Sequence, residues 1–182
     1  MKSQSDSTFY RYDAVRINHQ LNGMKVLGTW SLINITSGLI LRNNTMGEDR
    51  YFHEMNAIWN TVNLGLAASG FIKVSKEQPE NSAFAVLDKQ LQLEKTLLLN
   101  SGLDIAYITA GAYLLERSKN ENNPIDRQRF RGYGRGLVLQ GAFLLIFDSV
   151  FYAIESSASK DLRKTMSFIY LSPSGVGFSK TF

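Results

Sequence analysis

The sequence predicts an all-α fold. It is a four-helix transmembrane bundle with the third helix extended beyond the bilayer and a short β-prone C-terminal tail. Three observations predict it. Apolar stretches recur four times, at residues 24–41, 55–74, 96–115 and 136–154. Charge is nearly absent from them: residues 26–41 and 55–72 hold no Asp, Glu, Lys or Arg, and the last two stretches hold only Asp104 and Asp148. Each stretch also carries a polar side chain near its middle, namely Asn34, Asn63, Asp104 or Asp148. A bilayer crossing takes about 20 mostly apolar residues rising ~1.5 Å each. The helices of a water-soluble bundle would instead show charge on their outward faces at helical spacing. The 182 residues make one domain, nearly used up by four such helices and their connections.

The elements follow in order. Residues 1–8 are polar and Ser-containing and are expected to form a disordered tail. Phe9–Asn22 mixes aromatic and charged residues and leads helically into the first span. Arg42–Arg50, with its Gly, is expected to be a polar loop before the second span. Lys73–Ser82 is a turn region, with Pro79 as breaker and Asn81 or Ser82 as N-cap. Phe84, Leu87 and Leu91 then recur at i, i+3 and i+7, so an amphipathic helix starts there and runs into the third span as one helix of more than 30 residues. Ser118–Asn123 and Pro124 end it, and Ile125–Arg135 leads into the fourth span. Residues 166–182 are β-prone pieces around Pro173-Ser174-Gly175, a good turn. A single hairpin cannot close a barrel, so a bacterial inner membrane is expected rather than an outer one.

Composition removes several function classes. There is no cysteine, hence no disulfide frame and no thiolate metal site. His19 and His53 are the only imidazoles, and they belong to opposite ends of antiparallel helices. His53-Glu54 lacks the second histidine of an H-E-x-x-H site. No metal or other cofactor is expected. Walker, nucleophile-elbow and dinucleotide motifs are absent, so the chain is expected not to be an enzyme. The basic-aromatic run RQRFRGYGRG, with Arg131 and Arg135, sits beside a span, where lipid headgroups are a simpler partner than nucleic acid. Trp30, Trp59, His53, Glu54, Arg131 and Arg135 are therefore expected at the membrane interfaces. Gly132 and Gly136 lie at the edge of the apolar run, and Gly38 has Asn34 four positions before it, so no close-packing glycine face is expected. Basic residues flank both ends of the spans and leave the orientation open. The start shows no charged-then-apolar signal peptide, which leaves insertion through the first helix or earlier removal of a signal as alternatives.

The chemistry gathers on helix faces. Asn56, Asn60, Asn63 and Ala67 make one stripe, and Asn100, Asp104, Tyr107 and Gly111 make another. Gln140, Leu144, Asp148 and Tyr152 share a face, as do Trp30, Asn34 and Gly38. A weak repeat, W-x-x-x-N, occurs at Trp30–Asn34 and Trp59–Asn63. In an up-down bundle Asn34, Asn63, Asp104 and Asp148 fall at one depth. An ionised carboxylate there costs about 2.5–3.5 kcal/mol before pairing. The candidate polar core is Asn34, Asn60, Asn63, Asn100, Asp104, Gln140 and Asp148. The leading reading is interhelical bonding in a structural or accessory membrane component. The alternatives are a small proton or cation unit built on Asp104 and Asp148, and a lipid or small-ligand site in the bundle core. The expected partners are the bilayer and either a second copy or another membrane protein.

Three blocks carry a resemblance: H-x-M-N-x-x-W-N-T-x-N from His53, L-x-N-x-G-L-D ending at Asp104, and L-Q-G-A-F-L-L-x-F-D ending at Asp148. The chain resembles, over roughly residues 24–172, an uncharacterised family of small bacterial membrane proteins found mainly in the Bacteroidota. The resemblance implies an integral membrane location and no assigned reaction.

Overall fold

The computed structural model describes the backbone of residues 2–170 and the side chains of residues 7–167. Four helices follow one another: α1 (Lys2–Asn44), α2 (Gly47–Val74), α3 (Ala83–Lys119) and α4 (Pro124–Tyr170). Among the described residues there is no strand. The helices run up and down. α1 packs on α2, α2 on α4, and α4 on α3. α2 and α4 run parallel, with the N-terminal Glu48 and Asp49 of one meeting Arg131 and Arg135 of the other.

Two repeats of different length build the seams. On α3 the buried Ala83, Gln90, Leu97, Asp104, Gly111 and Ser118 recur every seven residues, the spacing of a helix-to-helix seam. On α4 the period is eleven: Leu137, Asp148 and Ser159 form one set, and Leu144, Glu155 and Met166 another. Eleven residues make three turns at 3.67 per turn, so this stripe stays on one side of a long helix.

Glycines let the backbones approach. A Cβ on Gly111 would lie 2.7 Å from the Gly134 carbonyl oxygen, and one on Gly38 would lie 2.7 Å from that of His53. Gly132 sits against the Glu48 carbonyl and Tyr51, and Gly136 against Met55. The close-packing glycine face that the sequence argued against therefore exists. Gly132 and Gly136 pack on α2 at the i, i+4 spacing, and their place at the edge of the apolar run is what hid the face.

Three boundaries differ from expectation. The expected loop Arg42–Arg50 shrinks to Thr45 and Met46, because α1 runs to Asn44 and α2 starts at Gly47. Gly47 takes φ +61°, which lets so short a connection turn back. Glu48 and Asp49 then lie in the first turn of α2, where acidic residues favour a helix start. The N-terminal tail is helical from Lys2. Phe9 anchors its described part in an apolar cluster with Ala83, Val86, Leu162 and Met166. The same cluster keeps α4 helical to Tyr170, so residues 166–170 of the expected β-prone tail are helix. The rest of that tail lies outside the described residues.

The third helix does extend past its apolar stretch, but it does not do so alone. The first half of α1, the first half of α3 and the last third of α4 form a three-helix extension on one side. Buried Asp13 organises it. Its carboxylate accepts from Arg16 Nε at 2.6 Å, from the Glu80 amide at 2.9 Å and from Lys89 Nζ at 3.4 Å. Arg16 also reaches Glu77 at 2.8 Å, so one node ties α1 to the 75–82 connection and to α3. Burial alone would raise the Asp13 pKa; the Arg16, Glu80 and Lys89 contacts outweigh it and hold the carboxyl below its ordinary value. A second node joins α1, α3 and α4 at the fully buried Glu155, which accepts from Gln90 Nε2 and lies 2.8 Å from His19 Nδ1.

Between these ends the usual polarity is inverted. Leu32, Ile33, Ile58, Leu66, Leu99 and Ile146 are exposed, while Asn56, Asn60, Asn63, Asp104, Gln140 and Asp148 are buried. Among the described residues, α1 and α4 contain stretches long and apolar enough to cross a membrane. α2 and α3 fall short of that mark because their Asn, Gly and Ser residues dilute the apolar ones.

Candidate functional site

The polar interior is divided in two. One half is closed and centred on Gln140, which is 0% exposed. Its Oε1 accepts from Trp30 Nε1 at 3.1 Å. Its Nε2 donates to Asn56 Oδ1 at 2.9 Å and to Asn34 Oδ1 at 3.4 Å. Asn34 and Asn60 return their amides to carbonyls one turn back on their own helices, Trp30 and Asn56 respectively. The Trp30 indole stacks on Phe143 with ring centroids 3.7 Å apart and planes 6° from parallel. α1, α2 and α4 are thus clasped together by one glutamine.

The other half is open. No Cα of α2 comes within 8 Å of one of α3, and the two helices meet through the edge-to-face contact of Trp59 and Tyr107, 4.6 Å between centroids. The resulting cleft has a volume of about 810 Å³ and is floored by Leu144, Phe147 and Asp148 of α4. Such a volume suits a small organic ligand, whose pockets run ~300–1,000 Å³. Asp104 and Asp148 lie close together at its base, beside Asn100.

The cleft collects unmet hydrogen-bonding groups. Gln20 Nε2, Trp59 Nε1, Asn63 Nδ2 and Asp104 Oδ2 are buried without a partner, and all four residues line it. Native interiors leave few such atoms, and of the six found among the described residues four lie around this cavity, the other two being Asn60 Oδ1 and Glu94 Oε1. Asn63 is 5% exposed and Asp104 3%.

A model of a family of unknown function (DUF6992) matches residues 26–149. The chain belongs to this family. The DUF6992 match spans α1 from its middle, all of α2 and α3, and α4 through Asp148, so it holds the Gln140 clasp and most of the cleft lining, but not Gln20. No curated protein and no solved structure matches the chain.

The expected core residues of this DUF6992 member fall in two groups. Asn34 and Gln140 belong to the clasp, and Asn63, Asn100, Asp104 and Asp148 to the cleft; Asn60 is buried but bonds only the Asn56 carbonyl of its own helix. The two W-x-x-x-N units serve one half each: Trp30 and Asn34 face Gln140, while Trp59 and Asn63 face α3. Both indole N–H groups therefore turn into the bundle. Arg131 and Arg135 stay exposed at the far end but pair with Glu48, and Arg135 also with Asp49, at 2.9–3.2 Å. Glu54 accepts from Arg42 and from the Tyr133 hydroxyl. His53 lies edge-on to Phe52 and gives its carbonyl oxygen to the Gly38 approach. Sequence reasoning did not single out Gln20, and it named Trp59 as an interfacial residue rather than as part of a cleft. Gln20 lies before the apolar run, and only the turn-by-turn reach from Leu27 back along α1 could have found it.

Proposed function

We propose that this chain is an integral membrane protein whose four helices all cross the bilayer and whose α2–α3 cleft binds a lipid-soluble molecule without chemical change. The inverted polarity supports the first part. Exposed Ile, Leu and Val suit hydrocarbon, whereas buried Asn, Gln and Asp need protein partners there. α2 and α3 carry their polar residues on the inner face, so their lower hydropathy is compatible with a lipid-facing outer face.

The observation that carries the binding reading is the gathering of four unpartnered polar atoms around one largely apolar cleft. The cleft opens between helices whose backbones stand apart, so a bilayer molecule could enter sideways. The Gln140 clasp supplies the structural role: it holds α1, α2 and α4 while α3 stays separated from α2. Native mass spectrometry of the protein released from its own membrane tests the reading. A bound mass is expected, and it should disappear when Leu103→Trp fills the cleft. A bare mass across independent preparations would overturn it.

One observation favours a second reading. Facing carboxyls at mid-depth could pass a proton or cation. Asp104→Asn and Asp148→Asn would then abolish a pH-driven flux in liposomes; equal flux in both variants and in empty liposomes would remove that reading.

A further inference from the structure

Resting on the cleft-binding reading above, we infer that the bound molecule carries a hydroxyl headgroup, as a long-chain or ring-bearing lipid alcohol does, held between Asn63 and Asp104.

The argument starts from register. α2 and α3 run antiparallel, and Trp59 touches Tyr107. One turn away from that contact, four residues on in α2 and three back in α3, come Asn63 and Asp104. Both line the cleft at the same level. Their free atoms are of opposite kinds. Asn63 Nδ2 is a donor with nothing to give to, and Asp104 Oδ2 is an acceptor with nothing to receive from. They do not bond each other and both are closed to water, so each side chain must turn slightly to present its atom to the cleft; a group held between them then accepts from one wall and donates to the other. A hydroxyl does both with one oxygen. An ether, ester or ketone oxygen accepts only and leaves the carboxyl unmet. An ammonium donates only and leaves Asn63 unmet.

The surroundings agree with this head and an apolar body. Trp59 Nε1 adds one more donor beside Asn63, matching the second lone pair of a hydroxyl oxygen. Away from that level the walls are apolar: Leu27, Leu66, Leu97, Leu103, Leu144 and Phe147. A site that hydrogen-bonds a hydroxyl discriminates strongly against the analogue lacking it, because its own buried groups are then left unpaired.

The test uses the full chain in nanodiscs and the emission of Trp59, with Trp59→Phe subtracted to remove Trp30. Three probes share one chain: 1-hexadecanol, its methyl ether, and hexadecylamine. The alcohol should change the Trp59 signal saturably, with the ether and the amine at least roughly tenfold weaker. Asp104→Leu should bring the alcohol down to the ether's level, and Asp104→Asn, which keeps an acceptor oxygen, should retain the preference. Equal binding of alcohol and ether overturns the hydroxyl assignment while leaving the cleft a binding site. A preference for the amine also overturns it, in favour of a cation site. No saturable signal from any probe overturns both this inference and the binding reading beneath it.

Discussion

Gln140 of α4 donates through Nε2 to Asn56 Oδ1 of α2 at 2.9 Å, while its own Oε1 accepts from Trp30 of α1. One amide therefore joins three helices. Gln140→Leu strips these two contacts and the longer one to Asn34, and leaves the Trp30 N–H and the Asn56 oxygen unmet. At ~0.6–2 kcal/mol per interhelical bond in a membrane, the loss should total about 2 kcal/mol. Gln140→Glu should cost more, since a carboxylate cannot donate to Asn34 or Asn56. Thermal unfolding in nanodiscs checks both, and an unchanged midpoint for Gln140→Leu would remove the clasp.

Asp13 gives the pH dependence. Its folded pKa is held below the ordinary carboxyl value of 3.8. A depressed carboxyl contributes stability above its unfolded pKa and loses it as the pH falls through the folded one. The extension should therefore be intact at neutral pH and loosen progressively below about pH 4. Asp13→Asn should flatten that acid limb. Hydrogen exchange at the Glu80 amide, which Asp13 holds at 2.9 Å, reports the loosening.

Glycines on one helix should respond in opposite ways. A Cβ at Gly111 meets the Gly134 carbonyl oxygen at 2.7 Å, whereas at Gly102 nothing lies within 4 Å. Gly111→Ala should force α3 from α4 and cost about 1–3 kcal/mol. Gly102→Ala should be neutral or gain up to about 1 kcal/mol from helix propensity. Melting of the two variants side by side decides it.

The exposed band should reject charge. Ile146 is 66% exposed, so in water Ile146→Lys would be harmless. Facing hydrocarbon near mid-depth, it should cost about 2.5–3.5 kcal/mol of insertion. The fraction of chain resisting alkaline extraction from membranes measures this, and no change would count against a lipid-facing α4.

How much of this was legible follows from what periodicity can say. The stripes of Asn56, Asn60 and Asn63, and of Asp104 and Gly111, depend on one helix alone, and they are buried as their spacing requires. The division of the polar layer is not local. Asn34 and Asn63 look equivalent in sequence, yet α2 packs on α4 and stands off α3, so one asparagine meets Gln140 and the other a cleft. The same limit hid the partners of Arg131 and Arg135, which lie more than 80 residues away in α2. The helical end of α4 escaped because residues 167–170 read as strand by composition, while the eleven-residue set ending at Met166 carries the packing.

The central claim is that α2 and α3 cross the bilayer as α1 and α4 do. With no native cysteine, single-cysteine labelling in sealed vesicles tests it most directly. Thr45→Cys and Asn122→Cys mark one end of the bundle and Gln78→Cys the other. With a membrane-impermeant maleimide, the account predicts that Thr45→Cys and Asn122→Cys label from one face of the membrane and Gln78→Cys from the opposite face. Labelling of all three from the same face would contradict it.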